Sequence, residues 1–336
     1  NSTCLLQPSL ATTAVLPFFY SFLFLVGFCG NILTVCIFSR QAPTKRTQYI
    51  YLVNLVSANL LICATMPFLA AYFANGHQWT YDSLLCKIAD HLGTLIMHVS
   101  MYVTIIILCS TAVSQYATLK KYSDTPYSHA LNENLYRCVL EKFRQQKFAK
   151  YFCIIIWLIV VCVTVLAIMY NIQARARAEI QTCYNVNVEV GEFATKIVAS
   201  IATAWFFVSF MMVLLSYYSL TRHLSNIQKN TCIGEKHLIY RRVKRNILVI
   251  QMILTVCFLP YYIFRPIFYL LFTNDDCTRL NYLVEIKNCL TCLAAAKSSL
   301  DPVILLLHFK KSLHGLFVKS TPEHHKHKAV IFTEEI

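Results

Sequence analysis

Charged residues are scarce in this chain. They make up 14% of its 336 residues, whereas soluble domains contain about 25%. Apolar stretches recur from end to end and leave no segment long enough for a separate soluble core. The composition therefore excludes an ordinary soluble domain and predicts a single integral membrane domain.

Glycine is scarce as well, and the seven glycines form no phosphate-binding loop. The sequence also lacks a nucleophile elbow and a pair of catalytic carboxylates. His91 and His98 share one face of a predicted helix, but a metal site needs further ligands and none is obvious. These absences argue against an enzyme, and we expect neither a cofactor nor a bound metal.

Seven apolar runs, each long enough to cross a bilayer as a helix, make up most of the chain. They predict an all-α membrane protein, a seven-transmembrane helix bundle. After the last run, apolar residues recur at helical spacing with lysines on another face, which predicts a short amphipathic helix on the membrane surface. The predicted spans cover about residues 14–38, 49–73, 86–116, 148–172, 193–220, 246–272 and 282–307.

Basic residues are distributed unevenly between the loops. One alternating set of loops, together with the C-terminal tail, holds 22 of the 30 lysines and arginines, and the opposite set holds three. This asymmetry follows the positive-inside rule and predicts a cytoplasmic tail and an extracellular N-terminus. The net charge of +14 then reflects topology and contact with anionic membrane lipids, not a nucleic-acid partner.

The longest loop, residues 117–150, is basic and lacks an apolar run. Its second half, residues 135–147, has enough apolar positions for an amphipathic helix on the inner leaflet. A disordered linker is the alternative, and the sequence leaves both open.

Four of the fifteen cysteines fall in predicted extracellular segments: Cys4, Cys86, Cys183 and Cys277. An even number in an oxidising compartment predicts two disulfides, although four cysteines allow three pairings. Asn1 begins an Asn-Ser-Thr sequon and is a candidate glycosylation site.

The seventh run carries Lys297 and Asp301, one helical turn apart. A charge at the bilayer centre costs about 3 kcal/mol on insertion scales, so such residues usually face the protein interior and have a partner. We therefore expect both side chains to point toward the other helices.

The order of the motifs along the chain resembles the rhodopsin-like G-protein-coupled receptors, and the resemblance covers nearly the whole chain. It implies a plasma-membrane receptor that transmits the binding of an extracellular ligand to a heterotrimeric G protein. The Cys-Phe-Leu-Pro-Tyr sequence followed by Arg265, and Asp301-Pro302 where most of the family has Asn-Pro, resemble the purinergic-like branch. The matching residues are Gly30-Asn31, Asn54-Leu55 through Asn59-Leu60-Leu61, Trp79, Cys86, Tyr116, Trp157, Cys183, Cys257-Phe258-Leu259-Pro260-Tyr261 and Asp301-Pro302.

The resemblance also implies how the chain is divided and cross-linked. Cys86 is expected to pair with Cys183, and Cys4 with Cys277. The expected regions are an extracellular N-terminus (residues 1–13), a seven-transmembrane receptor domain (14–307), a membrane-surface helix (308–319) and a cytoplasmic tail (320–336).

One departure from the family pattern lies at the cytoplasmic end of the third span. The family has Asp-Arg-Tyr there, with an arginine that contacts the G protein, and this chain has Ser114-Gln115-Tyr116. A receptor-like scaffold that does not signal is therefore an alternative function. A transporter is a further alternative, although the odd number of spans and the absence of an internal repeat argue against it.

A second departure concerns an internal polar core formed by Asn31, Asn59, Lys297 and Asp301. Most of the family has an aspartate at the position of Asn59 and uses it to hold a sodium ion. We hypothesise that the Lys297 ammonium takes the place of that ion, bound by Asp301 and the Asn59 carbonyl. The alternative is that Lys297 extends to the membrane surface or pairs elsewhere.

Cations and aromatic residues occur together near the predicted outer ends of the spans. This combination suits an anionic ligand with an apolar body, such as a lipid acid or a nucleotide. Glu285 and Asp90 are acids that would neutralise a cation there, so structural pairing is the alternative reading. The candidate ligand-binding residues are Phe258, Tyr261, Tyr262, Arg265, Tyr282 and Lys287.

Overall fold

A computed structural model of the chain is almost entirely helical, and the part it describes contains no strand. Asn1, in the candidate sequon, lies outside the described residues. So do Trp79, Asp90 and His91, and for Gln115 and Tyr116 only the helical backbone is described. The described residues are 4–41, 47–76, 84–89, 93, 95–123, 131–176, 183–184, 186–190, 193–230, 234–271 and 276–317.

Seven of the described helices are long, with 26 to 41 residues each, and a rise of about 1.5 Å per residue makes each long enough to cross a bilayer. They are α1 (Leu16–Gln41), α2 (Thr47–Asn75), α4 (Leu95–Ser123), α6 (Gln146–Ala176), α8 (Phe193–Asn230), α9 (Gly234–Leu271) and α10 (Cys277–Phe317). The shorter helices are α3 (Leu84–Lys87), α5 (Leu131–Arg144) and α7 (Val186–Val190), and a π-helical turn, Ala11–Val15, precedes α1. The predicted all-α seven-helix bundle is confirmed.

Hydropathy alone recognises six of the seven spans. Among the described residues, six helices are long and apolar enough to cross a membrane. The helix outside this group is α10, whose charged residues include Glu285, Lys287, Lys297 and Asp301. The helix that hydropathy does not recognise is therefore the one that supplies the Lys297–Asp301 pair of the interior.

The bundle is assembled around contacts between neighbouring long helices. α1 packs between α2 and α10, α4 packs against α2 and α8, and α9 packs against α8 and α10. The approach of α1 to α10 depends on small residues, because a Cβ atom added at Gly27 would lie 2.5 Å from Ser299 Oγ. At Gly30 the added atom would lie 2.9 Å from Pro302. These two glycines let the backbone of α1 lie directly against the charged helix.

Two predicted boundaries differ from the structure at the ends of spans. The third span was expected to end near residue 116, but α4 continues to Ser123, and α6 begins at Gln146. The loop between the two is therefore shorter than predicted, because hydropathy does not reveal a helix that continues beyond the bilayer. α10 likewise runs to Phe317 as one helix, so residues 308–317 are helical, and a separate membrane-surface helix stays a prediction.

The helical alternative for the long loop is the correct one. Residues 131–144 form α5, and the loop that was expected to be either helix or linker is helical there. Thr47 of α2 donates a hydrogen bond to the Arg144 carbonyl at 2.5 Å. Tyr51 donates to the Phe143 carbonyl at 3.5 Å. α5 is thus attached by its last turn to the start of α2.

Candidate functional site

The inner polar core is centred on the ion pair between Lys297 and Asp301. Lys297 is only 1% exposed and donates a hydrogen bond to Asp301 Oδ2. Asn59 Nδ2 donates to the same oxygen at 3.0 Å. Asn31 Nδ2 donates to the Gly27 and Ser298 carbonyls at 2.8 and 2.9 Å, so it fastens α1 to α10 beside the pair. The four predicted residues therefore lie together, on α1, α2 and α10.

One detail of the expected arrangement is wrong. The carbonyl of Asn59 was expected to bind the Lys297 ammonium, but Asn59 Oδ1 is buried and has no hydrogen-bond partner among the described residues. Asn59 instead donates from its amide nitrogen to Asp301, because an ionised carboxylate is a strong acceptor for an amide N–H. The contact between Lys297 and the core is made through Asp301.

The same geometry does not fit a sodium ion. Sodium and other hard cations prefer several oxygen ligands, carboxylates above all. In this core Asp301 is the carboxylate, and it already binds the Lys297 ammonium. The position of a second acid is filled by Asn59, whose amide nitrogen faces Asp301. The cation that Asp301 binds in this core is the ammonium of Lys297, and its replacement of a sodium ion stays a hypothesis.

A second cluster, the outer site, lies at the end of the bundle that carries both disulfides. Arg265 of α9 donates from Nη1 to the Tyr102 hydroxyl of α4 at 3.0 Å. Its guanidinium carbon lies 5.8 Å from the centre of the Tyr261 ring, which is a cation–π distance. The Tyr261 hydroxyl is 2.5 Å from His98 Nε2. In the part of the chain that the structure describes, no carboxylate pairs with Arg265.

The other expected cation of this site is paired. Lys287 Nζ of α10 lies 2.5 Å from Glu189 Oε2 and donates to the Glu189 carbonyl at 2.8 Å. The second carboxylate oxygen of Glu189 accepts a hydrogen bond from the Tyr72 hydroxyl at 2.5 Å. The lysine also lies 5.9 Å from the Phe268 ring centre. Structural pairing, the alternative reading of the sequence, is what the structure shows for Lys287.

Aromatic residues form the inner side of the outer site. Tyr262 and Phe258 are both fully buried. Tyr262 stacks on Phe206 of α8 with ring centres 3.7 Å apart, and Phe258 packs edge-on against the same ring at 6.5 Å. Tyr282 does not join them, because it is 68% exposed. Its expected place in the ligand site stays a prediction.

Disulfides and the N-terminal segment organise this end of the bundle. The structure contains Cys86–Cys183 and Cys4–Cys277, the two pairings that the resemblance implies. Beyond Cys4, Gln7 exchanges two hydrogen bonds with the Asn281 side chain at 3.1 and 2.8 Å. Ser9 donates to both carboxylate oxygens of Glu285. The residues bound on α10 are four apart, so residues 4–9 follow one face of that helix.

The segment after Cys183 is buried under this N-terminal segment. Tyr184 is 1% exposed, and its side chain lies beside Thr12 and Asn288. Its ring centre is 6.1 Å from that of Tyr72. Burial raises the pKa of the Tyr184 phenol well above its usual range, and the negative charges of Glu189 and Glu285 raise it further. The phenol is therefore neutral at any physiological pH.

Three residues of the outer site were not singled out by sequence reasoning: Tyr72, Tyr102 and Glu189. Glu189 was visible only as one acid in a loop, 98 residues from Lys287 in the sequence. Glu285, an acid expected to neutralise a cation there, binds Ser9 instead. The signal in the sequence for the Lys287–Glu189 pair is a carboxylate in the loop after Cys183, because the disulfide to Cys86 holds that loop near the helix ends.

Known proteins resemble this chain over most of its length. Residues 30–132 and 135–305 match the 7 transmembrane receptor (rhodopsin family). The chain belongs to this family, as the order of its motifs indicated, and it is a multi-pass membrane protein of a receptor class.

Several known receptors are similar to this chain in sequence. The chain is 47% identical to the probable G-protein coupled receptor 82 of Mus musculus over 326 residues, which cover 95% of this chain and 99% of the relative. It is 45% identical to the Homo sapiens protein of the same name over 329 residues, with 96% and 98% covered. The probable G-protein coupled receptor 34 of Mus musculus is 25% identical over 307 residues, with 91% and 76% covered. The last similarity fits the purinergic-like branch.

Proposed function

We propose that this class A receptor lies in the plasma membrane with its N-terminus outside the cell, binds an anionic and partly apolar ligand at the outer site, and transmits binding to a heterotrimeric G protein. The orientation is supported by the basic residues, which concentrate in the loops and tail at the opposite end from the N-terminus. It is also supported by the two disulfides, which share the N-terminal end and require an oxidising compartment.

The surroundings of Arg265 are the observation that supports an anionic ligand. Its guanidinium is partly buried and contacts two tyrosines, and no carboxylate pairs with it among the described residues. An arginine keeps its charge at physiological pH, and its planar group matches a carboxylate or phosphate. The neighbouring rings of Tyr261 and Tyr262 are buried, so the surroundings of the guanidinium are largely apolar and suit a ligand with an apolar body. An anion that reaches Arg265 would supply a negative partner that none of the described residues provides.

The aromatic packing supports a route from the outer site to the cytoplasmic end. Tyr261 contacts the guanidinium, and the adjacent Tyr262 and Phe258 contact Phe206 of α8. Pro260 interrupts the hydrogen-bond ladder of α9 between them. A ligand that moves Tyr261 would therefore shift α9 against α8 at a point where the helix bends easily.

A pair of probes tests the ligand class directly. Dodecanoate and its methyl ester share an apolar chain and differ in charge. For the purified full-length receptor in lipid nanodiscs, we expect dodecanoate to raise the melting temperature and the ester to leave it unchanged, because the ester cannot form an ion pair with Arg265. Equal shifts with both probes, or no shift with either, would contradict an anionic site.

A receptor-like scaffold that does not signal is the second candidate function, favoured by Gln115 in place of the family's arginine. The two functions predict different behaviour of the variant Gln115→Arg. If the receptor machinery is intact, restoring the arginine is expected to raise basal G-protein activation above that of the natural chain. Guanine-nucleotide exchange in membranes with matched receptor amounts measures this, and Ser114→Ala serves as a control at the neighbouring position. Silence of both the natural chain and Gln115→Arg would favour the scaffold.

A further inference from the structure

Lys287 is held by a carboxylate on another segment of the chain. The ammonium lies 2.5 Å from Glu189 Oε2 and also binds the Glu189 main-chain carbonyl. The side chain of Lys287 is 20% exposed, and that of Glu189 is 5% exposed. The pair is therefore largely removed from water, where opposite charges interact more strongly than on a surface.

Glu189 has a partner for each of its two oxygens. Oε2 faces Lys287, and Oε1 accepts the hydrogen bond of the Tyr72 hydroxyl. It belongs to α7, which follows Cys183, and the disulfide to Cys86 fixes the start of this segment. The carboxylate is thus positioned by covalent and hydrogen-bonded contacts that do not require a ligand.

The pairing sets the charge that the outer site presents. Among the described residues the outer site contains two cations, Arg265 and Lys287, and Glu189 is the carboxylate that contacts Lys287. Of these two cations, Arg265 is the one that no described carboxylate neutralises. A ligand with two or more negative charges would need Lys287 as well, and displacing Glu189 would leave a 5% exposed carboxylate without its cation, which is unfavourable.

We infer that Glu189 determines charge specificity: by occupying Lys287 it restricts the outer site to ligands with a single negative charge and an apolar body, and it excludes dianions and polyphosphates such as nucleotides. This inference rests on the proposed function, because it assumes that Arg265 receives the anion. It narrows the two ligand classes that the sequence left open to the lipid-acid type. Glu189 is a positioning residue that acts through Lys287.

The test uses two probes with the same chain and different head-group charge. Dodecanoate carries one negative charge, and dodecyl phosphate at pH 8 carries close to two. The ratio of their dissociation constants is measured on the purified full-length receptor in nanodiscs, below the micellar concentrations. The natural chain is expected to prefer dodecanoate. Glu189→Gln keeps the size of the side chain and releases the lysine, so the ratio is expected to move toward dodecyl phosphate by about tenfold.

Two further variants separate this effect from a change in folding. Glu285→Gln is the matched control, since Glu285 is a carboxylate at the same end of the bundle whose hydrogen bonds go to Ser9, and its ratio should equal that of the natural chain. Glu189→Gln combined with Lys287→Gln removes both charges and should restore the preference for dodecanoate.

The outcomes distinguish the inference from the proposal on which it rests. If the natural chain binds dodecanoate and Glu189→Gln leaves the ratio unchanged, the charge filter is wrong and the anionic site stands. If Glu285→Gln moves the ratio as far as Glu189→Gln does, the effect belongs to general electrostatics and the assignment to Glu189 is wrong. If dodecanoate does not bind the natural chain at all, both the anionic site and the filter fail.

Discussion

Replacing Asp301 with alanine is expected to lower the free energy of unfolding of the receptor by about 3–5 kcal/mol, the loss observed when one partner of a buried ion pair is removed. Lys297 is 1% exposed, and Asp301 is the carboxylate that compensates its charge. The substitution also removes the acceptor of the Asn59 amide. Thermal unfolding of the purified receptor in detergent, followed by the reactivity of buried cysteines such as Cys63 and Cys257, measures the loss.

A double variant provides the control for that prediction. Lys297→Met with Asp301→Leu removes both charges and keeps similar side-chain volumes. Because two neutral groups leave no isolated buried charge, this variant is expected to unfold at a temperature close to that of the natural chain. If Asp301→Ala were as stable as the natural chain, or if the double variant lost as much as the single one, the pair would not hold the core together.

The proposed role of Lys297 as a built-in cation has its own test. Asn59→Asp combined with Lys297→Asn replaces the tethered ammonium with a site that has two carboxylates and no internal cation. The stability of this variant is expected to rise with sodium chloride and not with choline chloride at equal ionic strength, because an ion that binds only the folded state stabilises it. The natural chain should respond equally to both salts. Equal responses of the variant to the two salts would contradict the role.

Sequence reasoning succeeded where a physical cost leaves a visible pattern. The seven long helices follow from apolar runs, since a backbone in hydrocarbon must satisfy its hydrogen bonds internally. The inward direction of Lys297 and Asp301 follows from the cost of a charge in the bilayer. Neither inference required knowledge of which helices are neighbours.

Sequence reasoning was incomplete where a contact depends on which way a side chain points or on a partner far away in the sequence. Tyr282 was grouped with Lys287, but five residues along a helix turn the side chain by about 140°, and the grouping did not show that Tyr282 is 68% exposed while the Lys287 side chain is 20% exposed. The Lys287–Glu189 pair joins segments 98 residues apart, and no local pattern records it. The Asn59 side chain was oriented the wrong way, because an amide both donates and accepts and its partner decides which group is used.

Replacing Arg265 with alanine is expected to weaken dodecanoate binding by at least about 30-fold, since losing one partner of a buried, hydrogen-bonded charge pair costs about 2 kcal/mol or more. The guanidinium is the one cation of the outer site that no described carboxylate neutralises, so its removal takes away the charge that the anion is expected to bind. The dissociation constant is measured on the full-length receptor in nanodiscs.

Two other substitutions show whether the effect belongs to the position and to its geometry. Arg279→Ala is the matched control, because Arg279 is an exposed arginine at the same end of the bundle, and its affinity should equal that of the natural chain. Arg265→Lys keeps the charge but not the planar group that reaches Tyr102, so an intermediate affinity is expected. An unchanged affinity of Arg265→Ala would show that the anion binds elsewhere. Equal losses of affinity in Arg265→Ala and Arg279→Ala would assign binding to the general positive charge of the chain. If Arg265→Lys bound dodecanoate as weakly as Arg265→Ala does, the planar geometry of the guanidinium, rather than its charge, would select the ligand.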